Sequence, residues 1–206
     1  MRIIFISDTH GLHEALELPE GDVLIHAGDI GMKGTLDEIV NFNAWLGKQT
    51  HAHKIIIAGN HDFAFEKNAR LARKALSNGK YLQDNFAIVE GLKIYGSPWQ
   101  PWFYDWAFNL ERGAPLKKVW QMIPEDTDIL VTHGPPFGIL DITSDGQSVG
   151  CKDLLERVRQ IKPKVHAFGH IHPAYGALEI DETRFLNCAA CNSDYILTNA
   201  PLLIEL

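Results

Sequence analysis

The sequence predicts an α/β fold built on a largely parallel sheet, and three observations carry that prediction. Apolar, β-branched runs without polar alternation recur along the chain, helical periodicity fills stretches between them, and most of the runs end abruptly on a polar residue. Unbroken apolar runs suit strands covered on both faces, the usual condition of parallel sheets. In open sheets of this kind ligands bind beyond the carboxyl ends of the strands, so the polar residues after each run are where chemistry is expected.

The elements follow in order. Met1 to Ser7 (MRIIFIS) is the first strand, and Asp8-Thr9-His10-Gly11 leaves it directly. Asp8 and His10, two apart, project to the same side of an extended chain and can grip one metal ion. Val23 to Ala27 (VLIHA) ends in Gly28-Asp29, with His26 inside the run and therefore read as a core histidine. Thr35 to Leu46 reads as a helix, with Thr35 and Glu38 at capping-box spacing, Leu36, Ile39, Val40 and Trp45/Leu46 as its stripe, and Gly47 as its stop. His51 and His53 repeat the H-x-H pattern at the amino end of the next strand, away from the tips, and are expected to be solvent-exposed. Lys54 to Ile57 (KIII) then delivers Ala58 and the Gly59-Asn60-His61-Asp62 turn. Glu66 to Ser77 suggests a helix closed by Asn78-Gly79; Phe86 to Val89 and Gly91 to Tyr95 suggest strands.

Between Trp99 and Phe108, six of ten residues are aromatic, out of twenty in the chain. The segment is read mainly as packing, with one or two rings at its edge, Trp99 and Trp102, facing substrate. Ile129 to Thr132 (ILVT) ends in His133-Gly134-Pro135-Pro136. Val149 to Ile161 reads as an amphipathic helix with Leu154, Leu155, Val158 and Ile161 on one stripe and Pro163 beyond it. Val165 to Phe168 leads into Gly169-His170-Ile171-His172, where His170 and His172 repeat the same-side geometry; His166, inside the strand, is read as structural. Phe185 to Leu206 supplies final strand material, with Pro201 marking an edge or a break.

With 206 residues and no linker or repeat, residues 1–206 are expected to form a single domain. A net charge of -7 argues against general affinity for nucleic acid or an anionic membrane, though not against a phosphoester, because a local metal cluster outweighs diffuse charge. The apolar run at the start is too short for a signal peptide or membrane span, which makes a cytoplasmic location the expectation. Cys151, Cys188 and Cys191 are odd in number, and the Cys188/Cys191 C-x-x-C lacks the second pair a zinc site wants, so reduced core cysteines are expected.

Asp8, His10, Asp29, Asn60, His133, His170 and His172 all fall at or just after strand ends. Oxygen and nitrogen donors without thiolate suit manganese, iron, zinc or cobalt. Seven donors exceed one tetrahedral ion and suit two sharing a bridging carboxylate, about 3.5 to 4 Å apart as in two-metal displacement at phosphorus.

The ordered set DxH, GD, GNHD, THG and GHxH resembles the calcineurin-like metallophosphoesterase superfamily, and HAGD, GSPW, NLxRG, THGPP and VGC resemble its narrower metallophosphoesterase-domain (MPPED-like) subfamily. The resemblance implies a four-layer α-β-β-α sandwich of two mixed sheets flanked by helices. It implies that Asp8, His10 and His172 hold one metal, that Asn60, His133 and His170 hold the other, and that Asp29 bridges them. It further implies two divalent ions, manganese favoured, with a bridging hydroxide attacking a phosphodiester such as a cyclic nucleotide. His61 would protonate the departing alkoxide, with Asp62 orienting its ring. Some relatives lack the first histidine of GHxH and are weak catalysts; His170 is present here. Arg112 is a candidate phosphate contact. The alternatives are a nucleotide-binding or partner-docking scaffold with little turnover, a phosphomonoesterase or a nuclease. A small phosphoester or nucleotide is the expected partner, and a homo-oligomer is left open.

Overall fold

The computed structural model describes residues 1–206. Its strands are β1 (Arg2–Ile6), β2 (Val23–Ala27), β3 (His53–Ile57), β4 (Lys80–Tyr81), β5 (Asn85–Val89), β6 (Leu92–Ser97), β7 (Gln100–Pro101), β8 (Asn109–Leu110), β9 (Ile129–Thr132), β10 (Val165–Phe168), β11 (Gly176–Ile180), β12 (Thr183–Asn187) and β13 (Leu202–Glu205). Its helices are α1 (Leu36–Lys48), α2 (Phe63–Lys67), α3 (Ala69–Ala75), α4 (Ala114–Trp120) and α5 (Lys152–Ile161). One sheet runs β13-β1-β2-β3-β4 and the other β11-β12-β10-β9-β6-β5, with β7 and β8 as a separate ribbon. Strands β1 to β4 pair in parallel, as do β6, β9, β10 and β12, while β13, β11 and β5 close the edges antiparallel.

The uninterrupted apolar runs exist because each sheet has two dry faces. Ile3, Phe5, Val23, Ile25, Ile55 and Ile57 point inward and meet Ile94, Ile129, Val131, Val165 and Ala167 of the opposing sheet. Their neighbours Ile4, Ile6, Leu24 and Ile56 point outward onto α1, α2 and α3 through Ile39, Phe42, Leu46, Phe65 and Ala72. On the other side Leu130, Phe168 and Phe185 pack under α4 and α5 through Leu116, Trp120, Leu154, Val158 and Ile161. Three apolar interfaces between four layers define the α-β-β-α sandwich. Each fully buried isoleucine in it contributes about 1.5 to 3 kcal/mol.

The sheets meet at their carboxyl ends. A parallel bridge joins Ser7 to Ala189, and the Ala190 amide donates to Ser7 O at 2.8 Å. Parallel register therefore places the ends of β1, β2, β3, β9 and β10 along one rim.

Several elements depart from expectation. Helix α1 runs through Gly47 to Lys48, because the Gln49 amide and side chain satisfy the Leu46 and Trp45 carbonyls. The Thr35/Glu38 capping box is present, but Phe42 is buried and Val40 is 55% exposed. The single helix expected over Glu66 to Ser77 is two, α2 and α3, interrupted at Asn68 with φ -130 and ψ 40. Helix α5 begins at Lys152, after the extended Cys151, whose sulfur accepts from the Leu154 amide. His51 is buried with its Nε2 3.1 Å from Pro19 O, and His53 opens β3 itself, so neither is a free loop residue. Pro201 precedes β13, an edge strand whose first residue pairs with Phe5. No helix is long and apolar enough to cross a membrane. The cysteines are free and buried.

Candidate metal centre

The rim gathers side chains from strands far apart in sequence. Asp8, His10 and His172 offer one ligand atom each within 4.8 Å of one another, as do Asp8, Asp29 and His133, and also His10, Asp29 and His61. Asp29 Oδ2 lies 3.4 Å from His133 Nε2 and 3.9 Å from His10 Nε2. His172 Nε2 lies 3.2 Å from both Asp8 Oδ1 and His10 Nε2. Asn60 Oδ1 is 2.8 Å from His133 Nε2, and the His170 ring centroid is 5.0 Å from that of His133. Atoms bound about 2.1 Å from one ion at roughly tetrahedral to octahedral angles stand about 3.0 to 3.4 Å apart, which these spacings approach.

Proton placement tests the fit further. The Nδ1 atoms of His133 and His172 face the carbonyls of Ala27 and Asn192 at 2.9 Å, and a carbonyl only accepts. Each ring therefore donates from Nδ1 and aims Nε2 into the cluster, the second-sphere arrangement typical of metal-ligating histidine. There His133 Nε2 meets Asp29 Oδ2 and Asn60 Oδ1, and His172 Nε2 meets Asp8 Oδ1 and His10 Nε2. Carboxylates and imidazole nitrogens converging this closely form a donor set that suits a cation.

The electrostatics agree. Burial alone would push the Asp8 carboxyl up, but the hydrogen bond and charge of His172 outweigh it and hold Asp8 well below the usual carboxylate range. Asp29 is likewise held below that range, burial being outweighed by His133. Burial would push His133 down, yet Asp29 lifts it to about 9. His170 has no such partner, and burial followed by the His133 charge drops it to about 3.

Backbone geometry marks the same residues. Asp8, His10, Asp29 and His170 hold positive φ of 51, 44, 58 and 68 degrees. Each such non-glycine conformation costs about 1 kcal/mol or more and persists only where surroundings impose it. Here the tips hold one another: the Asp8 amide donates to Gly28 O at 2.9 Å, His10 to Asp29 O at 3.2 Å, and the His170 amide to Asp8 Oδ2 at 3.0 Å.

His61 lies at the edge of the cluster, its Nε2 4.0 Å from Asp29 Oδ2. Its Nδ1 meets the Met32 carbonyl at 2.8 Å. The expectation that Asp62 orients this ring is corrected. Both Asp62 oxygens are taken by backbone amides, Gly59 at 2.8 Å, Asp29 at 2.9 Å and Ile30 at 3.1 Å among them, so Asp62 ties two strand exits together and Met32 sets the imidazole. Burial and the Asp29 charge lift Asp62 to about 7 against those amides. The two strand histidines are structural, as expected. His26 and His166 are buried and meet Thr9 Oγ1 at 3.0 Å and Thr132 Oγ1 at 2.9 Å, bracing the residues just before two of the candidate ligands.

A cavity of about 490 Å³ opens over the cluster, with Asp29, Asn60, His61, His170 and His172 in its floor and Trp102, Phe103, Trp106 and Arg112 on its wall. Arg112 keeps its place by donating to the Val149 and Gly150 carbonyls at 2.7 and 2.8 Å. Trp99 is not in that wall. Its indole N–H donates to Asp84 at 2.7 Å and its ring packs edge-on against Phe108, so the substrate contact expected of it is corrected to a core role. Tyr195 is a further cavity residue that sequence reasoning misses. Its ring centroid lies 4.8 Å from that of His10 and 5.4 Å from that of His172. No spacing pattern points to it, since a loop from the tail of the chain carries it there.

A four-layer sandwich with carboxylates and imidazoles converging at its strand tips is the make-up of a metal-dependent phosphoesterase. The model of the calcineurin-like phosphoesterase family matches residues 1–174, and the chain belongs to that family. It is 42% identical over 230 residues to Metallophosphoesterase domain-containing protein 1 of Homo sapiens, covering 100% of this chain and 71% of the relative, and the Mus musculus protein of that name gives the same figures. Among solved structures, TT1561 of Thermus thermophilus shares the fold at TM-score 0.63 and 15% identity, covering 90% of this chain and 88% of the other. A structure described as a novel archaeal phosphodiesterase shares it at TM-score 0.51 and 18% identity, covering 93% and 85%.

Proposed function

We propose that the protein is a phosphodiesterase that hydrolyses cyclic nucleotides or related small phosphodiesters. In this reading Asp8, His10 and His172 hold one divalent ion, Asn60, His133 and His170 hold the other, and Asp29 bridges them; manganese is favoured, with iron, zinc or cobalt as alternatives. The observation that carries it is Asp29 Oδ2, which faces His133 on one side and His10 on the other at 3.4 and 3.9 Å, as a shared ligand must.

Bound ions would supply Lewis acidity toward the phosphoryl oxygens and an activated water. The chain's own residues do the rest. Trp102 and Phe103 form an apolar wall on which a nucleobase or aryl group can lie, a contact that contributes about 1 to 3 kcal/mol per base. Arg112, held in that wall by two carbonyls, keeps N–H donors for a substrate anion. His61, with Nδ1–H committed to Met32, delivers its other proton from Nε2 to the departing alkoxide.

Two experiments test this. Nitrophenyl phosphate diester and monoester hydrolysis should depend on manganese, collapse with chelator and with Asp29→Asn, and favour the diester; a diester rate indifferent to both treatments overturns the two-metal reading. On a diester with a basic leaving group, His61→Ala should lower kcat by about 10²- to 10⁴-fold while sparing metal content. Loss of a metal equivalent would instead make His61 a ligand, which its place beside His10 and Asp29 also allows.

A further inference from the structure

The aromatic segment divides into distinct jobs. Trp99 and Phe108 are packing, while Trp102, Phe103 and Tyr104 are 55%, 48% and 73% exposed. Trp106 belongs to neither group. Its ring lies over the imidazole of His61, centroids 4.2 Å apart and planes 31° from parallel, and it also lines the cavity.

The contact is built rather than incidental. The Ala107 amide, next to Trp106, donates to Asn60 O at 3.1 Å, and the Phe108 amide donates to Glu66 at 2.8 Å. Those bonds fasten residues 106–108 to the chain on both sides of His61. Ala107 and Phe108 are fully buried, which anchors the backbone from which the indole projects. Phe63 backs the indole with centroids 5.9 Å apart.

His61 has a torsional freedom that its hydrogen bonds leave open. The Met32 carbonyl fixes one ring nitrogen, but a ring held at one atom still rocks about that bond. The edge-to-face contact with His10, centroids 4.7 Å apart at 75°, limits that rocking. The indole, lying over the imidazole, limits it further.

We propose that Trp106 is the positioning residue of the proton donor: it holds the His61 plane so that Nε2 addresses the leaving oxygen. This rests on the reading of His61 as general acid. In the step concerned the phosphorus–oxygen bond to the leaving group breaks, water supplies the new oxygen on phosphorus and gives up a proton to solvent, and the leaving oxygen takes the Nε2 proton. A misplacement of about 1 Å at such a contact costs up to about 10²-fold in rate.

The test compares bis(p-nitrophenyl) phosphate, whose leaving group departs readily as its anion, with diphenyl phosphate, whose more basic leaving group needs the proton. Both are assayed on the manganese-loaded full chain for the parent, His61→Ala, Trp106→Ala, Trp106→Leu and the double variant His61→Ala/Trp106→Ala. Trp106→Leu keeps apolar bulk without a flat face, so it reports even where the alanine variant does not fold. The expected result is a kcat loss of about tenfold to 10²-fold on diphenyl phosphate, little loss on the nitrophenyl ester, and no further loss when Trp106→Ala is added to His61→Ala. Trp106→Phe should recover most of the rate. In the metal-free protein the His61 ring-proton resonances, identified by their absence in His61→Ala, should be shifted upfield by the indole and return downfield in Trp106→Leu. Equal slowing of both esters by the Trp106 variants, or additive losses, overturns the role of Trp106 alone. Absence of leaving-group dependence in His61→Ala overturns the acid assignment and this inference with it.

Discussion

Asp29 and Asp62 clasp each other's strand exits through the backbone. Asp62 Oδ2 accepts from the Asp29 amide at 2.9 Å, and Asp29 Oδ1 accepts from the amide of His61, the neighbour of Asp62, at 2.8 Å. One carboxylate thus places the other, which leaves Asp29 Oδ2 free to face His133 and His10.

Replacing Asp62 should therefore disturb the centre without touching a candidate ligand. Asp62→Asn puts an amide NH₂ against backbone N–H groups and leaves at least one buried donor without a partner, a cost of about 1 to 3 kcal/mol. Thermal or urea unfolding should show that loss, and manganese titration should show weaker binding as the Asp29 loop slackens. Unchanged stability and unchanged affinity would refute the clasp.

Two glycines permit the close approach of candidate ligands to backbone. A Cβ at Gly59 would stand 2.2 Å from Asp29 Oδ1, and one at Gly169 would stand 2.0 Å from Asp8 Oδ2. Gly59→Ala and Gly169→Ala should each fold and lose metal, read by elemental analysis after dialysis; two equivalents retained in either variant would contradict the ligand geometry.

Metal should stabilise the fold by mass action. Manganese at 100 times its dissociation constant should add about 2.7 kcal/mol per site, raising Tm, and chelator should reverse it. Asp29→Asn should abolish most of the shift. A Tm insensitive to manganese in the parent would count against a resident metal.

His166 should make the fold acid-sensitive. Burial drops it from 6.5 to about 3, so it is neutral in the fold and takes up a proton on unfolding below 6.5. The unfolded state then binds more protons, so this contribution is complete above 6.5 and is lost as pH falls from 6.5 toward 3. The loss is about 1.4 kcal/mol per pH unit at most. Denaturant midpoints of His166→Gln and the parent should converge as pH falls over that range. Parallel pH profiles would show that His166 does not titrate this way.

The layers and the donors are written locally in the chain. Ile3 to Ile6, Val23 to Ala27 and Ile55 to Ile57 lack polar alternation because both faces of their sheet are dry, and that local property also makes a polar residue at the strand end conspicuous. Asp8, Asp29, Asn60, His133, His170 and His172 are legible for that reason. What the local pattern cannot carry is which group meets which across the rim. Met32 lies 29 residues from the imidazole it holds, and Asp8 lies 164 residues from His172. Adjacency makes Asp62 look like the partner of His61, whereas the exit of β2 supplies the Asp29, Ile30 and Gly31 amides to its carboxylate and Gly59 adds its own. Likewise the aromatic run from Trp99 to Phe108 has one composition and several destinations. Tertiary contacts send Trp99 against the core, Trp102 to the cavity wall, and Trp106 to the face of His61. The hydrophobic effect that gathers aromatic rings is not directional, and the hydrogen bonds that sort them come from the β3 exit and from α2.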